Sequence, residues 1–171
     1  HVSIDIHSDI VGVGVDVASD GMNEAGLTVS AQTHREAVYQ DPLEKGRPAS
    51  GGNVCWANAV SWILGSFSTV KDLSAALKTV SVVGPRAAFP ISKGEYLHWS
   101  VDDAHGGHIV VEYVDGQLQL HNNTVGTFTN DPEYGWHLRN LNNYANLNPQ
   151  WPSGDEKIGV VTEIGVVPKI V

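Results

Sequence analysis

Asn130 stands at a joint where chemistry is possible. It closes a strand-like run, Gly126 to Thr129, and directly precedes Asp131-Pro132-Glu133, which open an expected helix over 132–144. Asp131 is a good N-cap, Pro132 suits the first helical position, and Glu133 favours the positive end of the helix dipole. A carboxamide there is a neutral donor beside a helix N-terminus, a place suited to stabilising a developing oxyanion. The competing reading is an Asx-type turn in which Asn130 bonds only its own backbone. Local pattern alone favours that second reading.

Other reactive side chains give weaker signals. Cys55 is the only cysteine of the chain and so invites a nucleophile reading. It falls inside an expected apolar helix, with no nearby His or charge to lower its pKa, and reads as a small structural residue. His105-Gly-Gly-His108 supplies two possible metal ligands where a site needs three or four. Asp102 and Asp103 are adjacent in an expected strand and point to opposite faces. A solvated turn accounts for these residues better, and no metal or cofactor is expected. A terminal His1 could chelate copper through its amine and ring, as in copper-dependent polysaccharide monooxygenases. Nothing else in the chain resembles those enzymes.

The elements that must position these residues alternate strand and helix. Residues 11–17, VGVGVDV, and 27–34, LTVSAQTH, read as a hairpin around a turn-rich 19–26. Asn53 is expected to cap a helix over about 54–66 that is apolar nearly all round, the mark of a buried layer helix. Thr69 and Asp72 resemble a capping box for a helix over about 70–80, with Val70, Leu73, Leu77 and Val80 inside. Strands follow at 97–103, 108–114 and 117–123, with Leu97, Trp99 and Val101 facing inward. Asp115-Gly116 is a strong hairpin signal. The last helix buries Tyr134, Leu138, Leu141 and Ala145. This order implies an α+β fold of sheets layered with helices.

Composition excludes several classes. The 171 residues fit one domain, able to bury roughly 70% of its unfolded surface. The chain is 42% hydrophobic and 17% charged, so it is expected to be globular. A net charge of −9 argues against nucleic acid and anionic membranes as partners. No apolar run is long enough to span a bilayer.

Five blocks together resemble the choloylglycine hydrolase family, the linear amide C–N hydrolases that include conjugated bile salt hydrolases and penicillin V acylases. They are DGMNEAGLTVSA (20–31), WILGSFSTVKDL (62–73), YLHWSVDD (96–103), HIVVEYVDGQLQLHNN (108–123) and TFTNDPEYGWHLRNLNNY (127–144). The resemblance runs from about Val11 to Leu147, and AVYQ (37–40) leans toward the penicillin V acylase side. It implies an αββα sandwich of the N-terminal-nucleophile hydrolase type, incomplete at both ends, with a divergent tail at 148–171. It also implies a cysteine exposed at a processed N-terminus that attacks an amide carbonyl, with its own α-amine as base.

Carried onto this chain, the resemblance makes Asn130 an oxyanion donor, reversing the local preference. Thr33 falls where many bile salt hydrolases have another asparagine of that hole, so only its backbone N–H could contribute. Met22, His34, Phe89 and Ile91 become candidate substrate contacts. The nucleophile would precede His1 and a later catalytic arginine would follow the chain. The chain alone is therefore expected to be inactive, acting on a small-molecule amide only with the remaining segments or another subunit. The alternative is a non-catalytic binding or structural subunit derived from the family. A homo- or hetero-oligomer is expected, and the resemblance leans toward a periplasmic or secreted setting.

Overall fold

A computed structural model describes residues 2–7, 16–43, 51–84, 96–144, 160–162 and 165–167. The elements are, in chain order, β1 (Val2–His7), β2 (Asp16–Met22), β3 (Thr28–Thr33), β4 (Asn53–Cys55), α1 (Ala59–Ser66), α2 (Val70–Leu77), β5 (Ser81–Val83), β6 (Leu97–Asp102), β7 (His108–Val114), β8 (Gln117–Asn122), α3 (Tyr134–Leu141), β9 (Val160–Thr162) and β10 (Gly165–Val167). Short 3₁₀ turns precede α1 and follow α3. The fold is α+β.

Six strands form an antiparallel sheet in the order β1-β2-β3-β6-β7-β8. At the β7–β8 turn Asp115 and Gly116 both take positive φ, the type I′ geometry that follows strand twist. β4 and β5 form a separate parallel pair, and β9 and β10 a separate antiparallel one.

The centre of the sheet is buried on both faces. On one face Val29, Trp99, Val101, Val111 and Tyr113 pack with Val60, Ile63 and Leu64 of α1 and with Val70, Leu73 and Leu77 of α2. The inward set expected for β6 holds for Trp99 and Val101, while Leu97 is half-buried. Strands buried on both sides lose simple alternation. The opposite face of β6 and β7 is buried too and carries His98, Ser100 and Glu112. Residues 128–134 lie over that face, since Thr129 and Tyr134 bond to His98 and Glu112.

The capping box at α2 is present. Thr69 Oγ1 accepts the Asp72 N–H at 3.1 Å and donates to Asp72 Oδ2 at 2.8 Å. Asp103 adds a second anchor: its Oδ2 accepts the Val70 N–H at 2.8 Å, while Oδ1 accepts the N–H groups of His105 and Gly107. These bonds hold the Asp103 carboxyl below its ordinary range. The His105–His108 region is thus an Asp-organised turn. His108 pairs with Asp102 at 2.7 Å rather than with His105.

Several expected elements differ. The first strand expected, 11–17, lies outside the described residues except for its last two, which belong to β2. That strand runs on to Met22, so the turn is shorter than 19–26. Asn23 closes it: Oδ1 accepts from Ala25 and Leu27, and Nδ2 donates to the carbonyls of Leu64 and Phe67 at the end of α1. The helix expected from 54 begins at Ala59 instead. Residues 53–55 are drawn into a strand by β5, a partner distant in sequence. Asn53 caps nothing, and its Oδ1 accepts the Leu43 N–H. Cys55 is exposed at the end of β4, not buried in a helix. Within α3 Tyr134 is buried and Leu138 and Leu141 are half-buried; Ala145 lies outside the described residues.

Candidate active site

α3 starts two residues later than expected. Asp131 is not its N-cap, because its carboxylate is engaged elsewhere. Oδ1 accepts the Arg35 backbone N–H and Oδ2 lies 2.9 Å from Arg35 Nη1. The first N–H of α3, on Tyr134, is instead taken by Glu112 Oε1 of β7 at 2.8 Å. The Asp131–Pro132 peptide is cis.

This arrangement brings Asn130 and Thr33 together across 97 positions of sequence. Asn130 Oδ1 accepts the Thr33 N–H at 2.9 Å, and the Asp131 N–H returns a bond to the Thr33 carbonyl at 2.9 Å. The Asn130 carbonyl accepts from His137 Nε2 at 3.0 Å. The Asx-turn reading of Asn130 therefore fails, since its side chain bonds β3 and not its own backbone. The Thr33 N–H is not a free donor either, because Asn130 already uses it. A backbone N–H requires an acceptor, so the carboxamide oxygen must face Thr33 and the NH₂ must face away. No described residue accepts from Nδ2. Thr33 thus aims Asn130 rather than donating beside it.

Beneath this joint lies a buried polar cluster that inspection of the sequence missed. His98 Nδ1 is 2.7 Å from Glu112 Oε1, and His98 Nε2 is 2.9 Å from the Thr129 carbonyl. His121 Nε2 lies 3.4 Å from Glu112 Oε2. His98 and Glu112 are fully buried. Burial pushes the Glu112 carboxyl up, but the nearby His121 ring and hydrogen bonds from His98 and the Tyr134 N–H outweigh it and hold the group at about 2. The glutamate is therefore ionised.

His34 was expected at the substrate surface. It is only 1% exposed and stacks on His98, ring centroids 4.7 Å apart and 26° from parallel. A side chain with no open surface touches no substrate in this conformation. Its Nδ1 has no hydrogen-bond partner among the described residues. Burial, and then the neighbouring His98, lower its pKa, so His34 is neutral at neutral pH. Met22 is 55% exposed at the end of β2. Phe89, Ile91 and His1 lie outside the described residues.

His34, His98 and Glu112 offer three ligand atoms within 4.8 Å of one another. The in-plane lone pairs of stacked rings run side by side and do not converge on one ion, and both His98 nitrogens are already engaged. The cluster reads better as a hydrogen-bonded network than as a metal centre. Among the described residues no helix is long and apolar enough to cross a membrane.

Comparison with known proteins shows the family and the fold. The model of the linear amide C–N hydrolases, choloylglycine hydrolase family, matches residues 2–161. A bile salt hydrolase/transferase of Clostridium perfringens is 33% identical over 148 residues, covering 82% of this chain and 43% of the relative. A crystal structure of a variant of the conjugated bile acid hydrolase from that organism superposes with a TM-score of 0.65 at 29% identity, covering 91% of this chain and 47% of that one. The penicillin V acylase structure from Agrobacterium tumefaciens gives 0.56 at 26% identity, covering 83% and 45%. The chain belongs to the choloylglycine hydrolase family and has the fold of the N-terminal-nucleophile hydrolases. It spans less than half the length of these relatives.

Proposed function

We propose that this chain forms the oxyanion-binding side of a hydrolase that cleaves linear amide C–N bonds in penicillin V or conjugated bile salts. The observation that carries this reading is the fixed carboxamide of Asn130. Its oxygen is spent on the Thr33 N–H, which leaves Nδ2 as a donor with no acceptor among the described residues.

The nucleophile in this reading is an N-terminal cysteine supplied from outside the 171 residues, as the family resemblance implies. Its thiolate attacks the amide carbon and the carbonyl oxygen becomes an oxyanion, which accepts from Asn130 Nδ2. The C–N bond then breaks, and the α-amine that took the thiol proton returns it to the departing amine. Water hydrolyses the thioester. Cys55 takes no part. It is exposed on β4, and among the described residues no hydrogen bond or ion pair links it to Asn130.

The test uses the native protein, with its N-terminus sequenced and its intact mass measured. Turnover of penicillin V and of a glycine-conjugated bile acid is then followed before and after thiol alkylation. A companion N-terminal cysteine and alkylation-sensitive turnover support the proposal. Turnover that survives alkylation contradicts the cysteine mechanism. No turnover, from a lone chain starting at His1, favours a non-catalytic subunit.

A further inference from the structure

The His98 ring sits between two groups that can only accept. One is the ionised Glu112 carboxylate at Nδ1, and the other is the Thr129 carbonyl at Nε2. Satisfying both requires a hydrogen on each nitrogen, so the geometry describes an imidazolium buried against a carboxylate. Glu112 Oε1 also accepts the Tyr134 N–H. One buried ion pair therefore grips the chain at Thr129 and again at Tyr134, and Asn130 lies between the grips. Two rings fix the imidazole plane: His34 at 4.7 Å, and Phe128 at 4.3 Å and 49°.

We propose that Glu112 and His98 are positioning residues for Asn130, setting the direction in which its carboxamide NH₂ points. The inference rests on the reading of Asn130 as the oxyanion donor. A buried ion pair adds little net stability over an apolar pair but strongly penalises loss of one partner. Here that penalty makes the 129–134 segment adopt one geometry. Preorganisation of this kind is what an oxyanion donor needs, because a misplacement of about 1 Å costs on the order of 100-fold in rate. The titratable groups around His98 are Glu112 on β7, His121 on β8, His34 after β3 and Tyr134 on α3. Asp131 and Glu36 act electrostatically on His34. Of these, Glu112 alone touches the ring with an opposite charge.

The experiment is nitrogen-15 NMR of the native protein, together with kinetics on penicillin V. In the unsubstituted folded protein both His98 nitrogens should carry a hydrogen. A singly protonated ring overturns the proposal without need of any variant. Glu112→Gln retains an oxygen that can accept from His98 and Tyr134 but loses the charge, and it should lower kcat less than Glu112→Ala does. Glu112→Ala should lower kcat about 10- to 100-fold with KM little changed. In Glu112→Ala the Asn130 side-chain NH₂ signals should also move to free-amide positions while the β3 and β6 backbone amides stay in place. A purely structural role would disturb the sheet amides too, or leave the Asn130 signals unmoved, and either result overturns the proposal. Asn130→Ala separates the two ideas. If it lowers kcat while Glu112→Ala leaves kcat unchanged, the positioning role fails and the proposed function stands. If Asn130→Ala leaves turnover intact, the oxyanion reading itself fails, and the positioning role fails with it.

Discussion

Asn130 Oδ1 accepts the backbone N–H of Thr33 at 2.9 Å, a contact between residues 97 positions apart. It joins the end of β3 to the segment that leads into α3 and turns a flexible carboxamide into a fixed one. Because the bond uses only the Thr33 backbone, the Thr33 side chain is expendable. Thr33→Val should leave penicillin V turnover within about twofold and stability within about 0.5 kcal/mol. Equal loss of activity in Thr33→Val and Asn130→Ala would show instead that the hydroxyl takes part.

The Arg35–Asp131 pair should be unequal in its two halves. The Arg35 side chain is 62% exposed, and an exposed ion pair contributes about 0.2–1 kcal/mol. Arg35→Ala should cost no more than that. Asp131→Ala removes the acceptor for the exposed Arg35 backbone N–H as well, adding about 0.5–1.5 kcal/mol. Denaturant titration of both variants checks the order. A larger loss for Arg35→Ala would contradict it.

Asp103 should matter more than an exposed turn acid usually does. It accepts three backbone N–H groups, including the first of α2. Asp103→Ala should destabilise by roughly 1–3 kcal/mol. Thr69→Ala, at the adjacent cap, should cost about 1 kcal/mol. The two serve one helix end, so the double variant should depart from additivity. Strict additivity in thermal melts would indicate that the anchors are independent.

The buried cluster sets a pH dependence with two parts. Glu112 is held at about 2 in the fold against an ordinary 4.5, so its contribution is full above about 4.5 and is lost as pH falls toward 2. His34 has its pKa lowered from 6.5, so the unfolded chain binds its proton first and stability declines as pH drops below 6.5. Both parts have the same sign: acid destabilises. Unfolding free energy measured from pH 7 to pH 3 should fall throughout, and His34→Gln should flatten the upper part of the curve. A stability maximum near pH 4 would refute the assignment.

Local signals made part of this fold legible. The Thr69–Asp72 capping box, the Asp115-Gly116 hairpin and the apolar stripe of α2 are written within a few residues, and the structure contains all three. The misreadings share one cause, a partner far along the chain. Residues 53–55 become a strand because β5 pairs with them, and α3 starts at Tyr134 because Glu112 supplies its first acceptor. Position singles out Asn130 as a candidate, yet the orientation of its side chain depends on Thr33. The His98–Glu112 pair left a faint trace: an acid in the middle of the apolar run HIVVEYV, where a buried strand has no use for an unpaired charge. His98 stands on the strand next to it, and that pairing appears only once β6 is laid against β7.

The central claim is tested most directly by single-turnover amide cleavage in the native protein and its Asn130→Ala variant, with penicillin V and a glycine-conjugated bile acid as substrates. Loss of one oxyanion donor should lower the rate about 100- to 1,000-fold with KM little changed. Equal rates for the variant and the unsubstituted protein on either substrate would contradict the account.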